Sequence, residues 1–239
     1  ACHVQRMLGC STIPAFDVAA SCSGFLYGLS MAGAMIRSGQ VKTCLVGAGE
    51  VKSRSLDPAD GDTALLFGDG AGAVLLRGEP EAGQLSPGLW GVRLHADGVQ
   101  HGLIMIPAGG SRRPTTSGTV GAKNHTLRMS GAPVFRLAVK RLEQVVREIV
   151  KEFGVDIQDI GQLVVHQANG RILDQLTKRL GISPERVCSV IGCYGNTSSA
   201  SLPIALDHAV RTGKIRPHDI VVLGSFGGGV TWAAGLVRW

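Results

Sequence analysis

The sequence predicts an α/β fold, in which helices cover sheets of parallel or mixed strands. Short apolar runs alternate with segments of helical periodicity along most of the 239 residues. The short runs are almost continuously apolar, which is typical of strands covered on both faces. With 44% hydrophobic and 18% charged residues, the chain can also bury a substantial core.

The first predicted element is a helix over residues 1–9. Val4, Met7 and Leu8 share one helical face, and Gly9 is placed as a C-terminal cap. The segment has neither an N-cap residue nor an initiator methionine. We therefore expect an N-terminally truncated chain or a proteolytic product.

Cys22 lies between a predicted buried strand, residues 15–20, and a helix over 24–36 that ends near Gly39. A thiol at a helix N-terminus is favoured as the thiolate, so we expect an activated nucleophile. The alternative is a small buried apolar side chain. The helix has little bulk on any face, which predicts that it is buried between layers.

The middle of the chain continues with strands over 42–47 and 71–76. Residues 80–131 are rich in Gly, Pro, Ser and Thr and predict a loop-rich insertion over a site. Pro133 then opens a long amphipathic helix that Gly154 ends.

The last part repeats the alternation of the first. It contains predicted strands at 162–166, 220–224 and 230–239, and predicted helices at 171–180 and 200–212. We therefore divide the chain into an incomplete N-terminal half (1–79), the insertion (80–131) and a C-terminal half (132–239).

Bulk properties exclude several classes of protein. No apolar run approaches the ~20 residues of a membrane span, so we expect a cytoplasmic protein. The six cysteines lack paired CxxC spacing, which favours neither a metal site nor a disulfide framework. The net charge of +6 suits an acidic partner or phosphate-bearing ligands, while no nucleic-acid motif is present.

Three polar side chains fall at the ends of apolar elements, where ligands bind in open α/β folds: Cys22, His166 and Asn196. Taken singly, the histidine fits a structural hydrogen bond and the asparagine fits an N-cap or turn. The three glycines within 225–229 leave backbone N–H groups accessible to an oxyanion, or form a tight turn.

Together these residues resemble the beta-ketoacyl-acyl-carrier-protein synthase III family. The resemblance rests on segments in the family's order that begin at Asp17 (DVAASCSGF), Phe67 (FGDGAGA), Val165 (VHQAN), Tyr194 (YGNTS) and Phe226 (FGGGVTW). It covers essentially the whole chain, while the family's leading third has no counterpart. It implies a thiolase-like, layered α-β-α-β-α fold of two pseudo-duplicated halves, the first incomplete.

The resemblance also implies the chemistry. Cys22 takes an acyl group from acyl-coenzyme A, and the acylated enzyme condenses it with malonyl-acyl carrier protein, whose decarboxylation leaves an enolate. His166 and Asn196 donate hydrogen bonds to that enolate, and the N–H groups of Cys22 and Gly228 hold the tetrahedral oxyanion. The resemblance implies that the enzyme needs no cofactor or metal. It also implies a homodimer. The pathway is fatty acid or polyketide-type synthesis.

A basic patch is expected to receive the acidic acyl carrier protein. Arg171, Lys178 and Arg179 recur on roughly one helical face, and all three match the family's docking patch. An ordinary solvated surface is the alternative. The glycines of 68–72 run into a strand, not a helix, which excludes a dinucleotide loop.

Two rival functions share part of this pattern. A papain-like hydrolase also has Cys, His and Asn in that order, but its local cysteine signature is absent at Cys22. An inactive fragment or partner of a condensing enzyme would usually lack the nucleophile, which this chain keeps.

Overall fold

The computed structural model describes residues 1–79 and 86–239. Its α-helices are α1 (Cys2–Met7), α2 (Gly24–Arg37), α3 (Gly61–Ala64), α4 (Ser117–Gly121), α5 (Gly131–Glu152), α6 (Gly170–Leu180), α7 (Ile191–Tyr194) and α8 (Ser201–Arg211). Its strands are β1 (Thr43–Glu50), β2 (Gly70–Arg77), β3 (Gly88–Ala96), β4 (Ile104–Met105), β5 (Arg128–Met129), β6 (Ile160–Val165), β7 (Ile220–Gly227) and β8 (Thr231–Arg238). The start of the predicted insertion, residues 80–85, lies outside the described residues.

A mixed four-stranded sheet in the order β3-β8-β7-β6 forms the centre of the molecule. β6 and β7 are parallel, whereas β7 and β3 both pair antiparallel with β8. The strands are nearly continuously apolar because helices cover both faces of the sheet. The predicted mixed α/β sheet is therefore confirmed.

The helices divide the core into two parts. The amphipathic helices α5 and α6 pack on one face of the sheet, where Leu142, Ile149 and Leu176 are fully or almost fully buried. On the other face lie α2 and α8, which contribute Leu26 and Leu202 to the second part.

Beyond α2 and α8 lies the antiparallel pair β1-β2. Gly28 of α2 allows close approach there, since a Cβ on it would lie 3.0 Å from Val46 Cγ1. The described elements thus stack as α-β-α-β layers. No helix of the described residues is long and apolar enough to cross a membrane.

Several expectations about the first half are wrong. Residues 15–20, although described, pair with no strand, and Phe16 is 51% exposed. A predicted strand needs a partner for its backbone groups, and none lies beside this segment. α2 is not buried on every face, because Met31 is 42% exposed. β1 and β2 are only partly covered, since α2 and α8 cover one face of them.

The loop-rich range and the last strands also differ from the prediction. Residues 80–131 contain β3, a full member of the central sheet that pairs with β8 from Gly88 to Ala96. β7 continues past Gly224 to Gly227, so the first of the three glycines belongs to a strand and the others to the turn before β8. This extension carries β7 up to Cys22.

Candidate active site

Cys22 occupies a 3-10 turn, Ser21–Ser23, that runs directly into α2. Ser21 has a left-handed φ of 51°, an unusual conformation for a serine, and it turns the chain sharply before the helix. The Cys22 side chain is 9% exposed. The predicted position at a helix start is confirmed, with one 3-10 turn inserted.

The turn that joins β7 to β8 holds the Cys22 turn in place. Thr231 Oγ1 donates to Ala20 O at 2.9 Å, Ser23 Oγ donates to Thr231 O at 3.2 Å, and Gly228 N donates to Ser21 Oγ at 3.2 Å. Gly227 lies so close that a Cβ on it would be 2.7 Å from Cys22 N. A glycine is therefore required at 227 by the backbone of Cys22.

The surroundings of the sulfur favour its anionic form. Burial raises the pKa of the Cys22 thiol, but the charge and hydrogen bond of His166, the hydroxyl of Ser198 and the charge of Lys52 outweigh it and lower the pKa from 9.0 to about 7. Ser198 Oγ lies 3.3 Å from Sγ. The thiolate is thus more accessible near neutral pH than in an ordinary cysteine.

His166 follows β6 and is held from both sides. Its backbone N–H donates to Gly224 O at 2.7 Å, which fixes it against β7. Its Nδ1 lies 2.6 Å from Ser201 Oγ, which also accepts a hydrogen bond from the Gln167 N–H at 3.1 Å. When His166 is neutral and carries its hydrogen on Nε2, the Ser201 hydroxyl can donate to Nδ1 while it accepts from Gln167, and Nε2–H is then the group that can donate to a ligand.

Asn196 lies in a short parallel bridge with Phe67. Its N–H donates to Leu66 O at 2.8 Å, and its carbonyl accepts from Gly68 N at 3.0 Å. Gly68 has no room for a side chain against Tyr194 O. The Asn196 Oδ1 accepts from Ser198 N at 2.9 Å, which leaves the side-chain NH₂ as the group free to bind a ligand.

These side chains line one cavity of about 420 Å³. Cys22, His166 and Asn196 all contribute to its wall. The apolar part of the wall includes Ile104, Leu127, Met129, Val134, Phe135 and Phe226. A mostly apolar cleft with a few convergent polar groups is typical of a site for a small organic substrate.

Three cations also line the cavity: Lys52, Arg136 and Arg171. Of the predicted patch, only Arg171 does so. Lys178 lies seven residues further along α6, about 10 Å away on the same helix face, and is exposed. Arg179 is exposed as well, but its guanidinium pairs with Glu143 at 3.1 Å. Arg136, on α5, was not predicted.

The site contains functional groups that the sequence analysis missed. Ser198 and Ser201 contact Cys22 and His166, and Lys52 lies on the cavity wall. Only the proximity of the two serines to Asn196 in the sequence could have indicated them. Within residues 1–79 and 86–239, no group of three or more His, Cys, Asp or Glu side chains could hold a metal ion. All six cysteines are free thiols.

Comparison with known proteins gives two family matches. Residues 16–98 match the model of 3-oxoacyl-[acyl-carrier-protein (ACP)] synthase III, and residues 150–239 match the model of that enzyme's C-terminal part. Beta-ketoacyl-[acyl-carrier-protein] synthase III of Erythrobacter litoralis is 47% identical over the whole chain, which covers 72% of that relative. The enzyme of the same name from Rhodospirillum rubrum is 48% identical, with the same coverage.

Solved structures agree with these matches. The 3-oxoacyl-(acyl carrier protein) synthase III of Pseudomonas aeruginosa superposes with a TM-score of 0.90 at 38% identity, over all of this chain and 71% of that one. A priming beta-ketosynthase of the R1128 polyketide pathway gives 0.88 at 33% identity, over 99% of this chain and 69% of that one. The layered arrangement of helices and sheets is therefore that of these enzymes.

Proposed function

The chain belongs to the 3-oxoacyl-[acyl-carrier-protein] synthase III family, and from this membership we propose which of its residues perform each step of the condensation. The reaction joins an acyl primer from acyl-coenzyme A to malonyl-acyl carrier protein with loss of carbon dioxide, and it initiates fatty acid synthesis. The protein is accordingly an acyltransferase. Family membership disfavours the papain-like hydrolase.

The first step is acyl transfer to Cys22. The thiolate attacks the thioester carbonyl of the primer, a new S–C bond forms, and coenzyme A leaves as its thiolate. The carbonyl oxygen becomes an oxyanion that the N–H groups of Cys22 and Gly228 would hold. The lowered pKa of the Cys22 thiol and the position of Gly228 beside Ser21 support this step. To bind the oxyanion, the Gly228 N–H must give up its hydrogen bond to Ser21 Oγ.

The second step is decarboxylation of the malonyl group. The bond to the carboxylate breaks, carbon dioxide leaves, and the electron pair passes into an enolate whose oxygen needs hydrogen-bond donors. Once Cys22 is acylated its sulfur carries no charge, and His166 can donate from Nε2 as a neutral imidazole. The NH₂ of Asn196 is the second donor. The enolate carbon then attacks the Cys22 thioester, and the thiolate leaves.

The observation that carries the assignment is that Cys22, His166 and Asn196, separated by up to 174 positions in the sequence, line one cavity. The cavity provides the nucleophile and both donors within a largely apolar wall. An apolar wall strengthens the hydrogen bonds to a developing charge.

For the carrier protein we propose docking at the cavity rim. Arg171 and Arg136 line the cavity from two adjacent helices, and Lys178 extends the basic surface along α6. Arg179 contributes less, because Glu143 already partly neutralises it. The acidic carrier protein would thus approach with its thioester directed at Cys22.

The chain's organisation and assembly are further proposals. We propose the division into 1–79, 80–131 and 132–239, with β3 of the middle segment joining the sheet of the last. A homodimer is proposed because Leu45 and Leu75 expose apolar surface on the β1-β2 pair. A cytoplasmic location fits six free thiols. Light scattering tests the dimer, and cell fractionation tests the location.

Mass spectrometry of the acylated protein tests the central assignment. Incubation with a short acyl-coenzyme A should add one acyl mass to the peptide that contains Cys22, and Cys22→Ala should abolish the adduct. Cys193→Ala is the matched control, since that thiol is exposed and outside the cavity, and should acylate normally. An adduct that persists in Cys22→Ala would refute Cys22 as the nucleophile.

A further inference from the structure

A carboxylate, paired with an ammonium group, lies next to the segment that carries Ser198 and Ser199. Glu50, the last residue of β1, accepts hydrogen bonds from Ser199 Oγ at 2.6 Å and Ser199 N at 3.4 Å. Its other oxygen pairs with Lys52 Nζ at 3.0 Å. The two side chains are only 19% and 26% exposed. Lys52 has so far entered the mechanism only through its charge, and Glu50 has not entered it.

Glu50 reaches the catalytic groups through the segment that it anchors. Ser198, next to Ser199, has a left-handed φ of 53° and holds its hydroxyl 3.3 Å from the Cys22 sulfur. Its N–H donates to Asn196 Oδ1. A non-glycine residue keeps such a backbone conformation only where its neighbours fix it, and Glu50 supplies two of the bonds that do so.

The charges around Cys22 come from four parts of the chain. His166, after β6, and Lys52 both favour the thiolate. Arg136 of α5 and Arg171 of α6 line the same cavity. Glu50 is the anion in this group, and burial raises its pKa, but bonds from Ser199 and Lys52 lower it, so it is ionised at neutral pH.

We propose that Glu50 and Lys52 are a charge-balanced positioning pair for the nucleophile. The carboxylate fixes the Ser198 turn against the sulfur, and the ammonium group cancels the negative charge that the carboxylate would otherwise impose on the thiolate. This role deepens the proposed function, because it rests on Cys22 being the nucleophile.

This positioning role predicts an effect on the ionisation of the Cys22 thiol that a purely structural ion pair would not have. Removal of Lys52 alone takes away a charge that favours the thiolate and leaves the Glu50 carboxylate beside Ser199 without its counter-ion, so the thiolate becomes less favourable. Removal of both charges takes away the attraction and the repulsion together. The effect of Lys52 on the thiol should therefore depend on whether Glu50 is charged.

The experiment measures the pH dependence of iodoacetamide alkylation at the Cys22 peptide by mass spectrometry, in the full chain. Lys52→Met should raise the alkylation midpoint by about half a pH unit, the size expected for one partly solvated charge several ångströms away. Lys52→Arg, which keeps the charge, should stay within about 0.2 unit of the parent. Glu50→Gln/Lys52→Met should return toward the parent value.

Lys140→Met is the matched control, since Lys140 is an exposed lysine of α5 outside the cavity. An unchanged midpoint in Lys52→Met, or the same rise in the double variant as in the single one, would overturn the proposal. Either result with normal acylation of Cys22 by acyl-coenzyme A leaves the proposed function intact. A parent protein that accepts no acyl group would overturn the function instead.

Discussion

Replacement of His166 by alanine should separate the two steps of the reaction by their pH dependence. Among the groups that favour the Cys22 thiolate, His166 contributes most, through its charge and its hydrogen bond. Without it, burial dominates and the thiol pKa returns from about 7 to 9.0 or above. At pH 7 the thiolate fraction then falls from about one half to about 1%, a loss of about 50-fold in acylation.

This loss should be recoverable at high pH, because the missing species is only a deprotonated thiol. Between pH 7 and pH 9 acylation of His166→Ala should rise by about 50-fold or more, whereas the parent rises only about twofold. Decarboxylation should fall by about 10² to 10³-fold and stay low at both pH values, because alanine cannot donate to the enolate.

The assay uses single-turnover acylation by mass spectrometry, and carbon dioxide release from malonyl-acyl carrier protein, at pH 7 and pH 9. Asn196→Ala is the control, since Asn196 does not titrate: its acylation should follow the parent's pH dependence while carbon dioxide release is lost. If both steps of His166→Ala recovered together at pH 9, or both remained lost, the two separate roles would be refuted.

Three further outcomes are expected. Ser201→Ala removes the hydrogen-bond partner of His166 Nδ1, so carbon dioxide release should fall about tenfold. Ser201→Thr, which keeps a hydroxyl, should restore it. An alanine variant with unchanged carbon dioxide release would exclude a role of Ser201 in orienting the His166 ring. Gly227→Ala places a methyl group against the Cys22 backbone and should cost about 1 to 3 kcal/mol in urea unfolding, whereas Gly121→Ala, where the added group meets open space, should be close to neutral. The thiol pKa of Cys22 is lower in the folded state, about 7 against 9.0, so its contribution to stability is fully present above pH 9 and lost as the pH falls through 7. The unfolding free energy of the parent relative to Cys22→Ala should therefore increase by about 2 to 3 kcal/mol from pH 6 to pH 9, and a flat difference would contradict the shift.

Helices could be predicted from the sequence where the apolar periodicity and a capping residue indicate the same boundary. The apolar stripe of α5 ends at Gly154, which has a left-handed φ of 65°, and α6 ends at Gly181 in the same conformation. Such helices carry their own boundary signals, because only a residue without a side chain adopts that backbone readily. The strands β6 and β7 were found for a similar reason, since helices on both faces make them continuously apolar.

The wrong predictions, a loop in place of β3 and a strand at residues 15–20, have a different physical origin. β3 lies in a range whose glycines and prolines indicate loops, and its partner β8 is more than 130 residues away, so no local signal reveals the pairing. Residues 15–20 have strand-like composition but no neighbouring strand. Local propensity alone does not provide the hydrogen-bond partner that a strand requires.

The residues proposed as catalytic were singled out by their position and assigned their roles through segments shared with a family, whereas their supporting groups were not recognised. Cys22, His166 and Asn196 each follow or precede an apolar element. Ser201 and Glu50 act through contacts that span 35 and 149 positions, respectively. A spacing of that length has no periodic signature, so it becomes visible only once the chain is folded.

The hydrogen bonds between the Cys22 turn and the β7-β8 turn have a consequence for biosynthesis. They join residues 207, 208 and 211 positions apart. Because synthesis proceeds from the N-terminus, Cys22 emerges long before the segment that fixes its turn. A nascent chain therefore contains an ordinary cysteine for most of its synthesis. The hydrogen bonds that fix its turn can form only after residues 228–231 have been synthesised.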